Sequence, residues 1–400
     1  MNLFSVAEWI ASFGQTEVRY DPRRCVVASD RYGECQACIL TCPAGAISAG
    51  KPPVFHEEKC VNCGACQAAC PSSALHAPDP LAAIFQPPRA SVSGALDLFC
   101  ARLPQGQGLV GPAHSTGFRV KGCLASVSAG AYAALIARGF EHVWVRTDAC
   151  RGCPWEQLTA QIERQVERGN QLLAFWGLAG SLSVLRALEK APQRPLWNAG
   201  PSQADLSRRD LFRMAVRRPV QAPAPAPQPR AIENEDLLSR DRVYLLQAAS
   251  QLRSSLGDPT ARLEGLGFAS LAPSGACTAC GACARVCPTG ALRFTAAPSE
   301  TSFQLSFQAE ACNGCAACLR VCSPAAITLD PAPQAAAVFS ARDPVVLHSG
   351  ALARCERCGI PFASQDGQHL CTLCAYRAEH PFGSVLPPGF QRPAPQAGKE

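Results

Sequence analysis

The sequence predicts a multi-domain chain in which small α+β modules stand at both ends of a small α/β open-sheet domain. Three observations predict it. The 24 cysteines of the 400-residue chain fall into four blocks, at 25–70, 100–153, 277–322 and 355–374, and the first and third blocks repeat each other. Residues 94–197 alternate strand-like and helix-like segments, the pattern of a parallel sheet with right-handed crossovers. Residues 217–231, RRPVQAPAPAPQPRA, alternate Pro and Ala, which favours an extended polyproline spacer between two halves.

These features set the expected boundaries: a first cysteine-rich module at 1–85, a four-cysteine α/β domain at 90–200, the linker at 217–231, a helical lead-in with a second module at 232–335, a knuckle at 350–380 and a disordered tail at 381–400. Aromatic residues make up only 7% of the chain, so several small cores are expected in place of one large one.

In the first module, CVNCGACQAACPSSAL at 60–75 has Cys-x2-Cys-x2-Cys-x3-Cys-Pro spacing. Three sulfurs two residues apart on a tight loop can face one cubane, while the fourth cysteine begins the next segment and reaches the neighbouring cubane. Its companion, CVVASDRYGECQACILTCPAGAI, separates Cys25 from Cys35 by nine residues, so an insertion is expected to loop out and still return a third ligand. The expected sets are Cys25, Cys35, Cys38 with Cys70, and Cys60, Cys63, Cys66 with Cys42. A three-iron cluster or a different fourth ligand is the alternative at Cys25.

The second module repeats this in CTACGACARVCPTGAL and CNGCAACLRVCSPAAI. Here Cys277, Cys280, Cys283 and Cys322 form one expected [4Fe–4S] set, and Cys312, Cys315, Cys318 and Cys287 the other. The second arm reads CSP in place of CP, displacing its proline to Pro324. Two zinc sites would leave the third cysteine of each triplet unused. Each module resembles the two-cluster bacterial ferredoxins over about 50 residues. The resemblance implies a pseudo-twofold α+β unit carrying one electron per cluster.

In the middle domain the predicted strands are ALDLFC, GFRVKG, HVWVRT and QLLAFWG, with helices over 126–139, 155–168 and 181–190. Cys100, Cys123, Cys150 and Cys153 all follow predicted strands, and the ends of parallel strands converge on one crevice. GQGLVG at 106–111 matches a dinucleotide fingerprint, but PAHSTG follows where a helix is required, so a loop is expected. The run LFCARLP … VKGCLASVSAGAYAALIARGFEHVWVRTDACRGCPW resembles the iron–sulfur (delta) subunit of methyl-viologen-reducing hydrogenase over about 60 residues. The resemblance implies a [2Fe–2S] cluster on Cys100, Cys123, Cys150 and Cys153. In that family the last pair is spaced more widely and a further cysteine stands near the first. The alternatives are a redox dithiol at Cys150 and Cys153, activated by a helix N-terminus, and buried structural cysteines.

In the knuckle, CERCGIPFASQDGQHLCTLC pairs Cys355 and Cys358 with Cys371 and Cys374, the spacing of a zinc ribbon. A rubredoxin-type iron is the alternative. His348, His369 and His380 are expected to be surface residues.

Composition bounds the function. The formal charge of +6 falls to about −4 once four oxidised cubanes and a four-thiolate zinc are counted, so no nucleic-acid partner is expected. No secretory signal or membrane span is legible, and clustered thiols suit a reducing cytoplasm. SRRDLFRMA at 207–215 resembles a twin-arginine signal but is internal, and reads as a basic helix start or docking patch. No Ser/His/Asp set, phosphate loop or flavin fingerprint is present. The expected role is a soluble polyferredoxin-type carrier of single electrons between a low-potential donor (hydrogenase, formate dehydrogenase or reduced ferredoxin) and an oxidoreductase complex. It is more an electron-transfer subunit than a stand-alone enzyme. A disulfide reductase using the middle thiols and a redox-sensing or assembly adaptor are the alternatives.

Overall fold

The computed structural model describes residues 18–30, 32–85, 94–102, 115–186, 197–198, 238–252, 257–258, 260–296, 301–339, 343–364 and 367–380. The fingerprint-like GQGLVG, the twin-arginine segment, the Pro/Ala linker and the tail from 381 lie outside them. Among the described residues no helix is long and apolar enough to cross a membrane. The chain divides into two units, one of Met1–Pro22 with Gln36–Asp258 and one of Arg23–Cys35 with Pro259–Glu400.

The first unit opens with two short ladders around the first cysteine block. β1 (Arg19–Tyr20) pairs antiparallel with β4 (Leu75–His76), and β2 (Ile47–Ser48) pairs with β3 (Val54–Phe55). Helices α1 (Ala37–Thr41) and α2 (Ala65–Ala69) carry the third cysteine of each arm and end at its fourth, Cys42 or Cys70. Val18, Ile47, Cys66 and Leu75 form the core, a cluster too small to hold without further support.

The middle of this unit is a five-stranded sheet: β5 (Ala95–Phe99), β6 (Ser115–Arg119), β7 (His142–Arg146), β8 (Leu182–Leu185) and β9 (Trp197–Asn198), in the order β8-β7-β5-β6-β9. Every pairing is parallel. Leu96, Asp97, Leu98 and Phe99 are all buried, as a central strand covered on both faces requires. Helices α3 (Ala129–Ala137) and α4 (Thr159–Ala174) form the crossovers from β6 to β7 and from β7 to β8. The chain leaves β5 for β6 on one side and then crosses to β7 on the other, so the carboxyl ends of β5 and β7 flank the switch point.

Two expectations fail here. QLLAFWG is not a strand; its residues 171–174 finish α4, whose buried residues Ile162, Gln165, Val166, Gly169, Leu172 and Leu173 recur at helical spacing. Nor are residues 181–186 of the expected helix 181–190 helical, because Leu182–Leu185 is the strand β8, reached through left-handed turns at Gly177 and Gly180; 187–190 lie outside the described residues. An apolar run as short as Leu172–Trp176 satisfies either period, and the sheet takes the segment that the glycines free to pair.

Helix α5 (Arg240–Leu252), expected to lead into the second module, belongs instead to the first unit. The Arg240 guanidinium donates to Gln67 Oε1 at 3.0 Å, to the Pro78 carbonyl at 3.1 Å and to the Ala77 carbonyl. Tyr244 donates its hydroxyl to Asp79 and stacks near Phe85, ring centroids 4.5 Å apart. From the next residue Asp241 accepts from Gly130 N at 2.6 Å, while Ser128 Oγ and Gln165 Oε1 accept from Ala131 N and Ala129 N. Three first-turn donors of α3 are thereby satisfied. One helix thus ties the first cysteine module to the sheet domain. A Cβ on Gly130 would sit 2.0 Å from the Asp241 carbonyl, so Gly130→Val is expected to expel α5. Limited proteolysis then cuts within 240–252 in the variant and spares the wild type.

The second unit repeats the first module's ladders. β10 (Ser270–Pro273) pairs antiparallel with β13 (Ile327–Asp330), and β11 (Leu292–Ala296) with β12 (Ser302–Phe307). Helices α6 (Ala282–Val286) and α7 (Ala317–Val321) match α1 and α2. The inner hairpin continues here into β14 (Val345–Arg354) and β15 (Pro361–Ala363), giving the order β11-β12-β14-β15. The knuckle is therefore joined to the second module by a shared sheet. The insertion between Cys25 and Cys35 does not loop into solvent: Val26–Ser29 is helical, Val26 and Val27 are buried, and Asp30 pairs with Arg320 Nε at 2.5 Å inside this second unit.

Candidate metal centres

The three regular cysteine arms share a backbone, and the backbone explains the spacing. In each regular arm the residues before and after the second cysteine are left-handed: Asn62 and Gly64, Ala279 and Gly281, Gly314 and Ala316. Ala279 and Ala316 hold this conformation at φ +57° in spite of their Cβ atoms, a strain on the order of 1 kcal/mol each. These reversals turn successive sulfurs to one side of a short loop. After every fourth cysteine a left-handed residue follows at the third position: Gly45, Ser73, Gly290 and Ala325. The next amide then points back at sulfur, with Ala46 N 3.2 Å from Cys42 Sγ, Ala74 N 3.3 Å from Cys70 Sγ and Ala326 N 3.3 Å from Cys322 Sγ. Backbone N–H groups aimed at a thiolate stabilise its charge, as iron–sulfur ligation needs. The irregular arm lacks the reversal that follows the second cysteine, since Gln36, after Cys35, lies at φ −121°.

The second module brings the fourth cysteine of each arm to the opposite triplet. Burial first, then Cys280, Cys322 and Cys277, push the Cys283 thiol up to about 11. Burial, then Cys312, Cys287, Cys315 and Cys283, push Cys318 up to about 12. A cavity lined by Cys277, Cys280, Cys283 and Cys322, with Phe294 and Leu305 among its apolar walls, collects the first of these sets. Thiols held this high stay protonated at neutral pH unless a cation takes the proton's place, as iron or zinc does. Four cysteine sulfurs around one apolar-walled cavity are the donor set that a [4Fe–4S] cluster takes.

In the first module burial raises Cys66 well above the ordinary thiol value, helped by Cys63, Cys60, Cys42 and Cys38. Cys42 thus stands beside the Cys60–Cys66 arm. Of the remaining expected set, Cys38 and Cys70 lie in the first unit, and Cys25 and Cys35 in the second.

The four middle-domain cysteines, scattered over 54 residues of sequence, meet at the carboxyl edge of the parallel sheet. They line one cavity of about 180 Å³ with Leu158, Ile162 and Trp155, and the Arg102 guanidinium lies 4.2 Å from the centre of the Trp155 ring. Val61 and Asn62, from the first module, complete the wall. Ala125 N is 3.5 Å from Cys123 Sγ, and burial pushes that thiol up to about 12, with smaller contributions from Cys63, Cys100 and Cys150. Burial also raises Cys150. The expected helix N-terminus is not at this pair: Asp148–Cys150 is a 3₁₀ turn, and α4 begins only at Thr159. The helix starts six residues beyond Cys153 in sequence, though Thr159 at its first position hydrogen-bonds the Cys150 thiol and partly opposes the rise that burial causes.

At the carboxyl end of β7, four residues before Cys150, lies a buried ionic group that sequence reading missed. Arg146, on β7, places Nη1 3.5 Å from Asp97 Oδ2 and Nη2 2.7 Å from Asp148 Oδ2. Asp97 is fully buried and its Oδ1 finds no partner among the described residues; burial lifts its carboxyl to about 6 against the pull of Arg146. An aspartate inside the apolar strand ALDLF was the available signal. Asn62 offered none, because its role depends on what docks beside it.

At the C-terminal end the sulfurs of Cys355, Cys358, Cys371 and Cys374 lie within 4.8 Å of one another. Gly359, at φ +71°, makes the first knuckle's turn. Backbone N–H groups of Cys371, Cys358 and Arg357 draw the Cys355 thiol down to about 6, while burial pushes Cys374 up to about 12. This group could bind a metal. The nearby histidines are occupied elsewhere: His348 Nε2 lies 2.7 Å from the Ala326 carbonyl, His369 pairs with Glu356 at 3.2 Å, and His380 stacks on Tyr376 at 4.4 Å.

A family model described as a 4Fe-4S dicluster domain matches residues 33–74 and again 276–327. No curated protein and no solved structure matches the chain. Two dicluster domains define an iron–sulfur electron-transfer protein, with a further cysteine group able to take a metal.

Proposed function

We propose that the chain is a polyferredoxin-type electron conduit, passing single electrons between a low-potential donor and an oxidoreductase complex such as a hydrogenase or formate dehydrogenase. The observation that carries this reading is the cavity that gathers Cys100, Cys123, Cys150 and Cys153 beside the Cys60–Cys63 loop. The proposed [4Fe–4S] sets are Cys25, Cys35, Cys38 with Cys70; Cys60, Cys63, Cys66 with Cys42; Cys277, Cys280, Cys283 with Cys322; and Cys312, Cys315, Cys318 with Cys287. The middle set takes a [2Fe–2S] cluster, and Cys355, Cys358, Cys371 and Cys374 take zinc, which is redox-silent and holds the knuckle's turns together.

Bound clusters supply reversible uptake of one electron each. The protein supplies thiolates, the N–H groups aimed at them, and apolar walls that keep water from the metals and thereby tune potential. In the middle domain those walls are Leu124, Leu158 and Ile162.

The test is iron, labile sulfide and zinc per chain on anaerobically purified full-length protein, wild type against Cys150→Ser/Cys153→Ser. About eighteen irons falling to about sixteen is the expected result. About sixteen in both would turn the reading toward a thiol–disulfide reductase, in which the free pair titrates as a dithiol.

A further inference from the structure

We propose that the Cys60–Cys66 ligand loop is docked as a wall of the four-cysteine cavity, with Gly64 and Asn62 as positioning residues that make this cluster, of the two in its module, the direct redox neighbour of the middle site. The inference rests on the cluster assignments proposed above.

The argument starts from Gly64. Its left-handed backbone, at φ +72°, is not by itself a demand for glycine, because Ala316 occupies the equivalent position of another arm at φ +57°. A Cβ is compatible with the ligand loop. At Gly64 it would fall 2.7 Å from the Cβ of Ser126, on the turn that follows Cys123. Real Cβ atoms do not approach so closely, so what excludes a side chain here is the sheet domain, not the cluster loop.

Asn62 is the second contact. It lines the cavity together with Val61, and its carbonyl lies 3.8 Å from where a Cβ on Gly122 would stand. The two residues between Cys60 and Cys63 therefore face the middle cysteines, while the α5 strap holds the same module to the same sheet through Arg240, Tyr244 and Asp241. Two separate attachments fix one geometry. With clusters bound by both cysteine sets, the exchange this docking would serve is a single-electron transfer, one electron leaving the group held by Cys60, Cys63 and Cys66 and entering the group held by the middle cysteines, with no bond to sulfur formed or broken.

The experiment is electron paramagnetic resonance on dithionite-reduced, full-length protein, with iron counted on the same samples. In wild type the middle centre's signal is expected to show spin–spin broadening from a neighbouring reduced cubane. Gly64→Ala should keep the full iron content and lose that broadening, while Gly265→Ala, a left-handed position outside every ligand loop with open space where its Cβ would stand, should keep both. Should Gly64→Ala lose cubane iron, Ser126→Leu, which presses on the contact from the other side and alters no ligand loop, replaces it. Full iron with no broadening in wild type, or broadening that survives both Gly64→Ala and Ser126→Leu, overturns the inference. About sixteen irons in wild type would instead overturn the middle-cluster assignment on which it rests.

Discussion

Cys322→Ala is expected to remove about four irons, and to remove them from the cluster proposed on the Cys277–Cys283 arm. The reason is the exchange of fourth cysteines between arms. Cys322 stands among Cys277, Cys280 and Cys283, whereas Cys287 stands beside Cys315 and Cys318. The spectrum of Cys322→Ala should therefore match that of Cys280→Ala and differ from that of Cys315→Ala, although Cys315 is only seven residues away and Cys280 is 42. Each arm would otherwise hold its own cubane, and the match would be with Cys315→Ala. The loss should extend beyond the metal. A cluster held there would tie the Cys277–Cys283 loop to Cys322, five residues before β13, so the variant should show faster amide exchange in β10 and β13.

The second large effect concerns Arg146. Its side chain is 1% exposed, between the fully buried Asp97 and the partly buried Asp148. Arg146→Leu leaves Asp97 as a buried carboxylate without its cation, which typically costs about 3–5 kcal/mol. Amide exchange in β5 and β7 is the measurement, and protection should fall by about two orders of magnitude or more. Unchanged protection would mean that the pair does not hold these strands together. Adding Asp97→Leu should recover most of the loss, since an apolar pair of similar volume can replace a buried ion pair.

The same group has a pH signature. The folded value of Asp97, about 6, lies above its ordinary 3.8, so the folded state binds the extra proton between those limits. Its contribution to stability is therefore full below about pH 4 and is lost as pH rises through 6, a change of about 3 kcal/mol. An infrared carboxyl band that titrates near pH 6 in wild type and is absent from Asp97→Asn would report it. A band titrating near 4 would contradict the burial argument.

Much of this site was legible because metal ligation is local in sequence. Three sulfurs on one loop must be two residues apart, and the reversals that aim them fall at the positions between, so Cys60–Cys66 or Cys277–Cys283 announces its chemistry without tertiary information. The parallel sheet was legible too, from the alternation of β5, α3 and β7. It failed at Leu172–Trp176 and Leu182–Leu185, where apolar runs of four or five residues suit either period.

By itself, then, the sequence determined the ligand triplets, the repeat of two modules, the paired knuckle cysteines and the open parallel sheet, all consequences of spacing within a few residues. Tertiary structure alone decided the rest. It placed α5 on the first unit instead of the second, joined the knuckle to β12 through β14, and brought Val61 and Asn62 to the cavity of Cys100, Cys123, Cys150 and Cys153. It also buried Asp97 against Arg146, 49 residues away. The physical reason is common to all four: each is a contact between segments far apart in the chain, chosen by which surfaces bury together, and no local period or spacing encodes that choice.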